Sequence, residues 1–280
     1  CYSKMKTSGI PIVATLAWDP NIPKLPNAYI PPPNHYNNIP MAMFKAQNPG
    51  LKKVWMCWTS APGVQQQLEA EAAAWQSIGI ETVNQGPLPG NVADYTGAVV
   101  KAKQAGANGI DCFGTQVQVT AALAKAVVQQ GWKPLMSTGY SVYDPKFPEL
   151  AGSAANGWGY GTALPNLNAE LMGSTQGGKD YIAQVGHPPQ TASDYMGWEM
   201  MDLAVQALVK AGPNLTRKSF LDALSSFHNF GANGLVPPFD IGSKTENGTC
   251  FTLQMIEDGK FVQKMPDTGN QICGGEYFPK

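Results

Sequence analysis

The sequence predicts an α/β fold built on a parallel sheet, and three observations carry that prediction. Between Leu51 and Pro165, short apolar runs alternate with helical periods at the spacing of βαβ units. Glycine closes each of the first three periods, at Gly79, Gly106 and Gly131, where helices prefer to stop. The apolar runs are short and continuous, as strands buried on both faces are.

Each element follows in turn. "LKKVWMCW", from Leu51, has strand length. "GVQQQLEAEAAAWQSIG" is a helix with Val64, Leu68, Trp75 and Ile78 near helical spacing. "IETVNQGPL" is a second strand. "DYTGAVVKAKQAG" is a helix capped by Asp94 or Asn91. "NGIDCFGT" is a third strand, "VQVTAALAKAVVQQG" a third helix, "KPLMSTG" a fourth strand and "NGWGYGTALP" a fifth. "GWGYG" evokes a dinucleotide loop, but it lacks the full glycine spacing and a following helix, so it reads as a bent strand entering a hinge. After Pro165 the texture turns helical: "GGKDYIAQVG", then "TASDYMGWEMMDLAVQALVKAG" with an apolar stripe of Trp198, Met201, Val205 and Leu208. "LTRKSFLDALSSF" follows, with Thr216 its cap. "TCFTLQMIEDGKFV" reads as a β-hairpin turning at Asp258-Gly259. The chain opens on "CYSKMKTSGIPIVATLAW", a helix tail and a strand, and is read as N-terminally truncated or processed.

At 280 residues the chain can bury two modest cores, and its 43% hydrophobic content marks it as globular. A net charge of −1, with no basic run longer than a pair, argues against nucleic acid or an anionic membrane as partner. No apolar stretch is long enough to span a bilayer. Sparse charge, 14% of residues, suits an exported protein. Catalytic constellations are scarce: three histidines, no HExxH, no zinc-type Cys/His spacing, no GxSxG elbow and no P-loop, so no enzyme activity, metal or cofactor is expected.

Five cysteines are an odd count. Cys250 and Cys273 flank the hairpin segment and are expected to bond, closing a loop that stabilises by roughly 3 kcal/mol. Cys57 and Cys112 lie in two strands, where buried free thiols are favoured over a bridge. Cys1 is left over; it pairs outside this sequence or carries a lipid. The usage leans toward an oxidising compartment.

With these elements in order, the sequence resembles the type I periplasmic solute-binding proteins of ABC transporters, in the branched-chain amino-acid (Leu/Ile/Val) branch. The pieces that carry the resemblance are "GIPIVA", "KKVWMCW", "IGIETV", "DYTGAVVKAKQAGANGIDCF", "AKAVVQQGWKPLMST", the tyrosine- and alanine-bearing helix ending in "AG", and "IEDGKFV". The resemblance implies two Rossmann-like lobes joined by hinge crossovers, the first lobe incomplete because its opening β–α units, on the order of 100 residues, lie outside this sequence. Residues 1–34 plus 165–240 would form lobe I, and residues 35–164 plus 241–280 lobe II. The lobe I helices after 168 would then cover a sheet whose first strands are absent here.

The resemblance also places a ligand site. The head-group loop falls on Leu16, Ala17 and Trp18, and the first hinge near His35 and Tyr36. The loop after the Leu51 strand offers Thr59, Ser60 and Pro62. "CFGT" leads into Gln116, and "LMSTGY" brings Gly139 and Tyr140. These residues depart from a branched-chain pocket. Trp18, Tyr36, Gln116 and Tyr140 make an aromatic, amide-bearing lining that suits a flat or less charged solute. The expected function is the extracytoplasmic solute-binding component of an importer, periplasmic or a cell-surface lipoprotein. It would be monomeric, would bind a small amino-acid-like or aromatic organic-acid solute, and would dock on a membrane permease. A ligand-sensing or regulatory domain of the same fold is the alternative, and an α/β-hydrolase-like enzyme a third class without a nucleophile to support it.

Overall fold

The structure, a computed structural model, describes residues 2–14, 24–30, 38–61, 64–90, 92–139, 142–162, 173–242, 250–266 and 271–273. By internal contacts the chain divides into two units. The first comprises Cys1–Asn34, Ala163–Pro189 and Ser193–Gly248; the second His35–Thr162, Gln190–Ala192 and Thr249–Lys280.

In the first unit, α1 (Tyr2–Ser8) precedes a small parallel pair, β1 (Ile12–Val13) and β2 (Ala28–Tyr29), with Ile12 opposite Ala28. The second unit opens with α2 (Asn38–Gln47), β3 (Lys53–Trp58), α3 (Val64–Ser77) and β4 (Glu81–Asn84). Then come α4 (Thr96–Gln104), β5 (Gly109–Phe113), α5 (Val117–Gln129), β6 (Leu135–Thr138), α6 (Lys146–Ala151) and β7 (Trp158–Thr162). The chain adds α7 (Gln176–Val185), α8 (Ala192–Ala211) and α9 (Arg217–Ser225), and closes with β8 (Cys250–Glu257), β9 (Lys260–Met265) and β10 (Ile272–Cys273).

The second unit is organised by its sheet, in the order β10-β8-β7-β6-β5-β3-β4, with β9 on β8. Strands β4, β3, β5, β6 and β7 run parallel; β8 joins β7 antiparallel. On one face, Trp55, Cys57, Ile110 and Cys112 meet Val99, Leu123, Val127, Phe147 and Trp158 in a continuous core. The helices α4, α5 and α6 supply that cover because each presents small or branched apolar residues at helical spacing. On α3, Val64, Leu68 and Trp75 are buried. The β8–β9 turn places Asp258 and Gly259 at φ 48° and 73°, both left-handed, which the two-residue hairpin loop requires.

Several sequence expectations need correction here. Cys57 and Cys112 are bridged rather than free. Parallel register sets them directly opposite each other, with Cα atoms 4.5 Å apart, inside the range a disulfide spans. Of the stripe expected on α8, only Trp198 packs inward, against Tyr181; the rest points outward. Met201, Val205 and Leu208 are exposed, while Tyr195, Leu203 and Ala207 are buried on the opposite face. Helix α2 was not foreseen. It packs on β7 where the strand has glycines: a Cβ at Gly159 would stand 2.6 Å from Phe44 Cε1, and one at Gly161 would stand 2.6 Å from Pro40 Cβ. The "GWGYG" glycines therefore admit a helix against the sheet. Cys250 is disulfide-bonded and lies opposite Cys273 in register.

In the first unit, Tyr29, Tyr181, Tyr195, Leu203, Leu224, Phe230 and Leu235 form the core. Thr175 caps α7 by accepting from Gly178 N–H, and α7 ends at Gly186 in the left-handed region. Thr216 and Ser219 form a reciprocal capping box at the start of α9.

Candidate functional site

The sheet of the second unit has a topological switch point. From β3 the chain crosses over α3 to β4 on one side, then returns over α4 to β5 on the other side of β3. The crossovers leaving β3 and β5 therefore diverge, and the carboxyl ends of these two strands leave a crevice between their loops. In open α/β sheets that crevice is where ligands sit.

Thr59 follows β3 and Gly114, Thr115 and Gln116 follow β5, so these residues flank the switch point. Thr59 Oγ1 donates to the Gly114 carbonyl at 2.6 Å and ties the two loops together. Gly114 has φ 63°, and this bend turns the chain from strand into helix α5. Thr115 is buried, its hydroxyl 2.7 Å from that of Thr120 on the first turns of α5. This contact pins the start of the helix. On the next strand, Thr138 Oγ1 donates to the Cys112 carbonyl at 3.0 Å, and Gly139 N–H donates to the same oxygen at 3.3 Å. One residue below the rim, the Cys57–Cys112 bond joins β3 to β5 covalently.

Gln116 is exposed and occupies the N-cap position of α5 in extended conformation, with no side-chain cap bond. The first-turn N–H groups of this 13-residue helix thus keep their orphan donors, and the helix dipole favours an anion there. Ser60 is exposed beside them and Gly139 half-buried. Of the expected ligand-binding residues, Thr59, Ser60, Gln116 and Gly139 thus lie at the carboxyl ends of β3, β5 and β6. Leu16, Ala17, Trp18, His35, Tyr36 and Tyr140 lie outside the described residues, as does Pro62. The Thr115–Thr120 contact escaped the sequence reading; its one signal is the spacing of five in "TQVQVT". Among the described residues no group of three or more His, Cys, Asp or Glu could hold a metal ion, and no helix is long and apolar enough to cross a membrane.

Comparison with known proteins places this geometry. A family model described as "Periplasmic binding protein" matches residues 3–260. No curated protein sequence matches significantly. Among solved structures, the fold is similar to that of a branched chain amino acid ABC transporter protein from Thermus thermophilus with bound valine. The TM-score is 0.77 at 16% identity, over 98% of this chain and 75% of that one. A fatty acid ABC transporter substrate-binding protein from Thermomonospora curvata gives 0.73 at 18% identity, over 94% and 70%. A leucine binding protein from Thermotoga maritima gives 0.68 at 15%, over 86% and 67%. With the model matching most of its length, and with the parallel sheet and rim described above, the chain belongs to the periplasmic binding protein family, in its type I fold.

Proposed function

We propose that the chain is the solute-binding component of an ABC importer, working outside the cytoplasmic membrane as a monomer and delivering its solute to a membrane permease. The single observation that supports this most is the convergence of Thr59, Ser60, Gln116 and the uncapped N-terminus of α5 at one switch point, in a member of this family. The solute is a small carboxylate, amino-acid-like or an aromatic organic acid. Its carboxylate is received by the first N–H groups of α5 and the Gln116 side-chain amide, while Thr59, whose proton goes to the Gly114 carbonyl, offers the solute an acceptor. The solutes in the names of similar structures, valine, leucine and a fatty acid, share that group. Leu16, Ala17, Trp18, His35, Tyr36, Gly139 and Tyr140 complete the lining, with the aromatic rings choosing flat solutes. Residues 1–34 plus 165–240 and residues 35–164 plus 241–280 act as the two lobes. Hinge closure, of which periplasmic binding proteins are a standing example, is driven only by the solute's higher affinity for the closed form.

A thermal-shift panel of branched-chain amino acids, aromatic acids and fatty acids tests the reading, with native mass spectrometry for a co-purified solute. A carboxylate at about a hundred times its Kd is expected to stabilise by about 2.7 kcal/mol. Gln116→Ala is expected to weaken that solute by roughly 1 kcal/mol, the worth of one neutral hydrogen bond. Stabilisation by branched-chain amino acids alone would remove the aromatic preference. No carboxylate stabilising, and none co-purifying, would remove the function.

A further inference from the structure

Thr120 lies early in α5 and is wholly buried. Threonine is a poor residue for a helix interior, and valine would fill the same space with no hydroxyl to take out of water. Packing alone therefore gives no reason for the hydroxyl. It stands 2.7 Å from the hydroxyl of Thr115, itself 2% exposed, and 3.2 Å from the Gln116 carbonyl. Thr115 Oγ1 in turn stands 3.5 Å from the Cys112 carbonyl.

Each hydroxyl has one proton to give, and the distances decide where both go. If Thr120 donated to Thr115, Thr115 would be left to donate across 3.5 Å, well past the usual O–H···O range. With the Thr115 proton on Thr120 and the Thr120 proton on the Gln116 carbonyl, the bonds are 2.7 Å and 3.2 Å. Both buried protons then have acceptors. The Cys112 carbonyl loses nothing by this, because Thr138 Oγ1 and Gly139 N–H donate to it at 3.0 Å and 3.3 Å. The direction is Thr115 to Thr120 to Gln116.

The end of that chain matters. Gln116 is the N-cap residue of α5, exposed and extended at φ −79° and ψ 155°, and its side chain makes no cap bond. Its carbonyl accepts the Thr120 N–H at 3.0 Å as well as the Thr120 hydroxyl. Main chain and side chain of Thr120 therefore converge on the peptide group that carries the Gln116 amide at the rim and leads into the first turn. Thr115 fixes Thr120 from the bend after β5. Groups held in place before a solute arrives lose less freedom when it binds.

We propose that Thr120, whose side chain is too deep to touch a solute, is a positioning residue: with Thr115 behind it, it holds Gln116 and the first turn of α5 in the orientation that receives a carboxylate. Its role in capture rests on the solute-binding reading above, whereas the hydroxyl chain stands on geometry alone.

The test uses the full chain and has two arms. Without solute, proton NMR of the parent is expected to show the Thr115 and Thr120 hydroxyl protons in slow exchange with water. Thr120→Val should displace the amide signals of Gln116 to Val119, and Thr120→Ser should return them toward the parent. With valine and benzoate as probes, calorimetry is expected to give a Kd about tenfold higher in Thr120→Val, and largely restored in Thr120→Ser. A double-mutant cycle separates positioning from loss of fold. Gln116→Ala should raise Kd about fivefold in the parent but less than about twofold in the Thr120→Val background. Equal effects in the two backgrounds would overturn the positioning role. So would fast-exchanging hydroxyls with unmoved Gln116 to Val119 signals. If neither probe binds the parent, the solute reading loses support and the NMR arm alone decides the chain. Should Thr120→Val not fold, Thr115→Val takes its place in both arms.

Discussion

The two units solve the same burial problem with different means. The second spreads its core over a wide sheet, staples the middle with the Cys57–Cys112 bond and places its rim on strand ends. Among its described residues the first has just the two-residue strands β1 and β2, and its core is helices and aromatic rings, among them Tyr29, Tyr181, Tyr195 and Phe230. One face of its α8 stays open: Met201, Val205, Leu208 and Val209 are all exposed. A sheet fixes where its strand ends stand. A core made chiefly of helices fixes less, and its stability leans more on individual buried groups.

The sharpest way to test that contrast is pH. Burial, aided by Asp202, pushes Glu199 on α8 up to about 8. Stability from this group is complete below pH 4.5 and is lost as pH rises to about 8, by at most about 5 kcal/mol. Exchange at α8 amides should report the loss, and Glu199→Gln should abolish it. A first unit that holds its protection from pH 5 to 9 would break the comparison.

Next in size is the staple. Converting Cys57 and Cys112 together to serine opens a loop of sequence separation 55, which the chain-entropy model values at about 4 kcal/mol. Denaturant unfolding with per-unit exchange should show the deficit in the second unit alone. Non-reducing peptide maps should recover Cys57 linked to Cys112, and Cys250 linked to Cys273. The smallest effect is steric. Gly159→Ala drives a methyl against Phe44 and should cost about 1–3 kcal/mol, read as a lower Tm.

Much of this contrast is written in the chain, and the gaps have physical causes. The alternation from Leu51 onward reads clearly because α3 and α5 bury one face each, and Asp258-Gly259 reads clearly because few pairs tolerate two left-handed residues. Helix α2 does not, since residues 39–44 are all buried and a helix covered on nearly every side has no period. The α8 stripe misleads for the opposite reason: apolar residues line both faces, and only tertiary packing chooses Leu203 over Val205. The disulfide depends on strand register, which no local pattern encodes. At the site, strand ends point to Thr59, Gln116 and Gly139, but the Thr59–Gly114 tie needs coordinates. Glu71 reads as one more helix-favouring acid among alanines and glutamines, and only the fold shows that it is buried.

The bond beneath the rim has a practical corollary for anyone producing this protein. Material made in a reducing cytosol would arrive with two thiols where the strands should be welded. The spacing between the Thr59 and Gln116 loops would then be free to slip. Ligand screens run on such material would under-report affinity for reasons unrelated to the solute, so secretion or oxidative refolding belongs at the start of any such campaign.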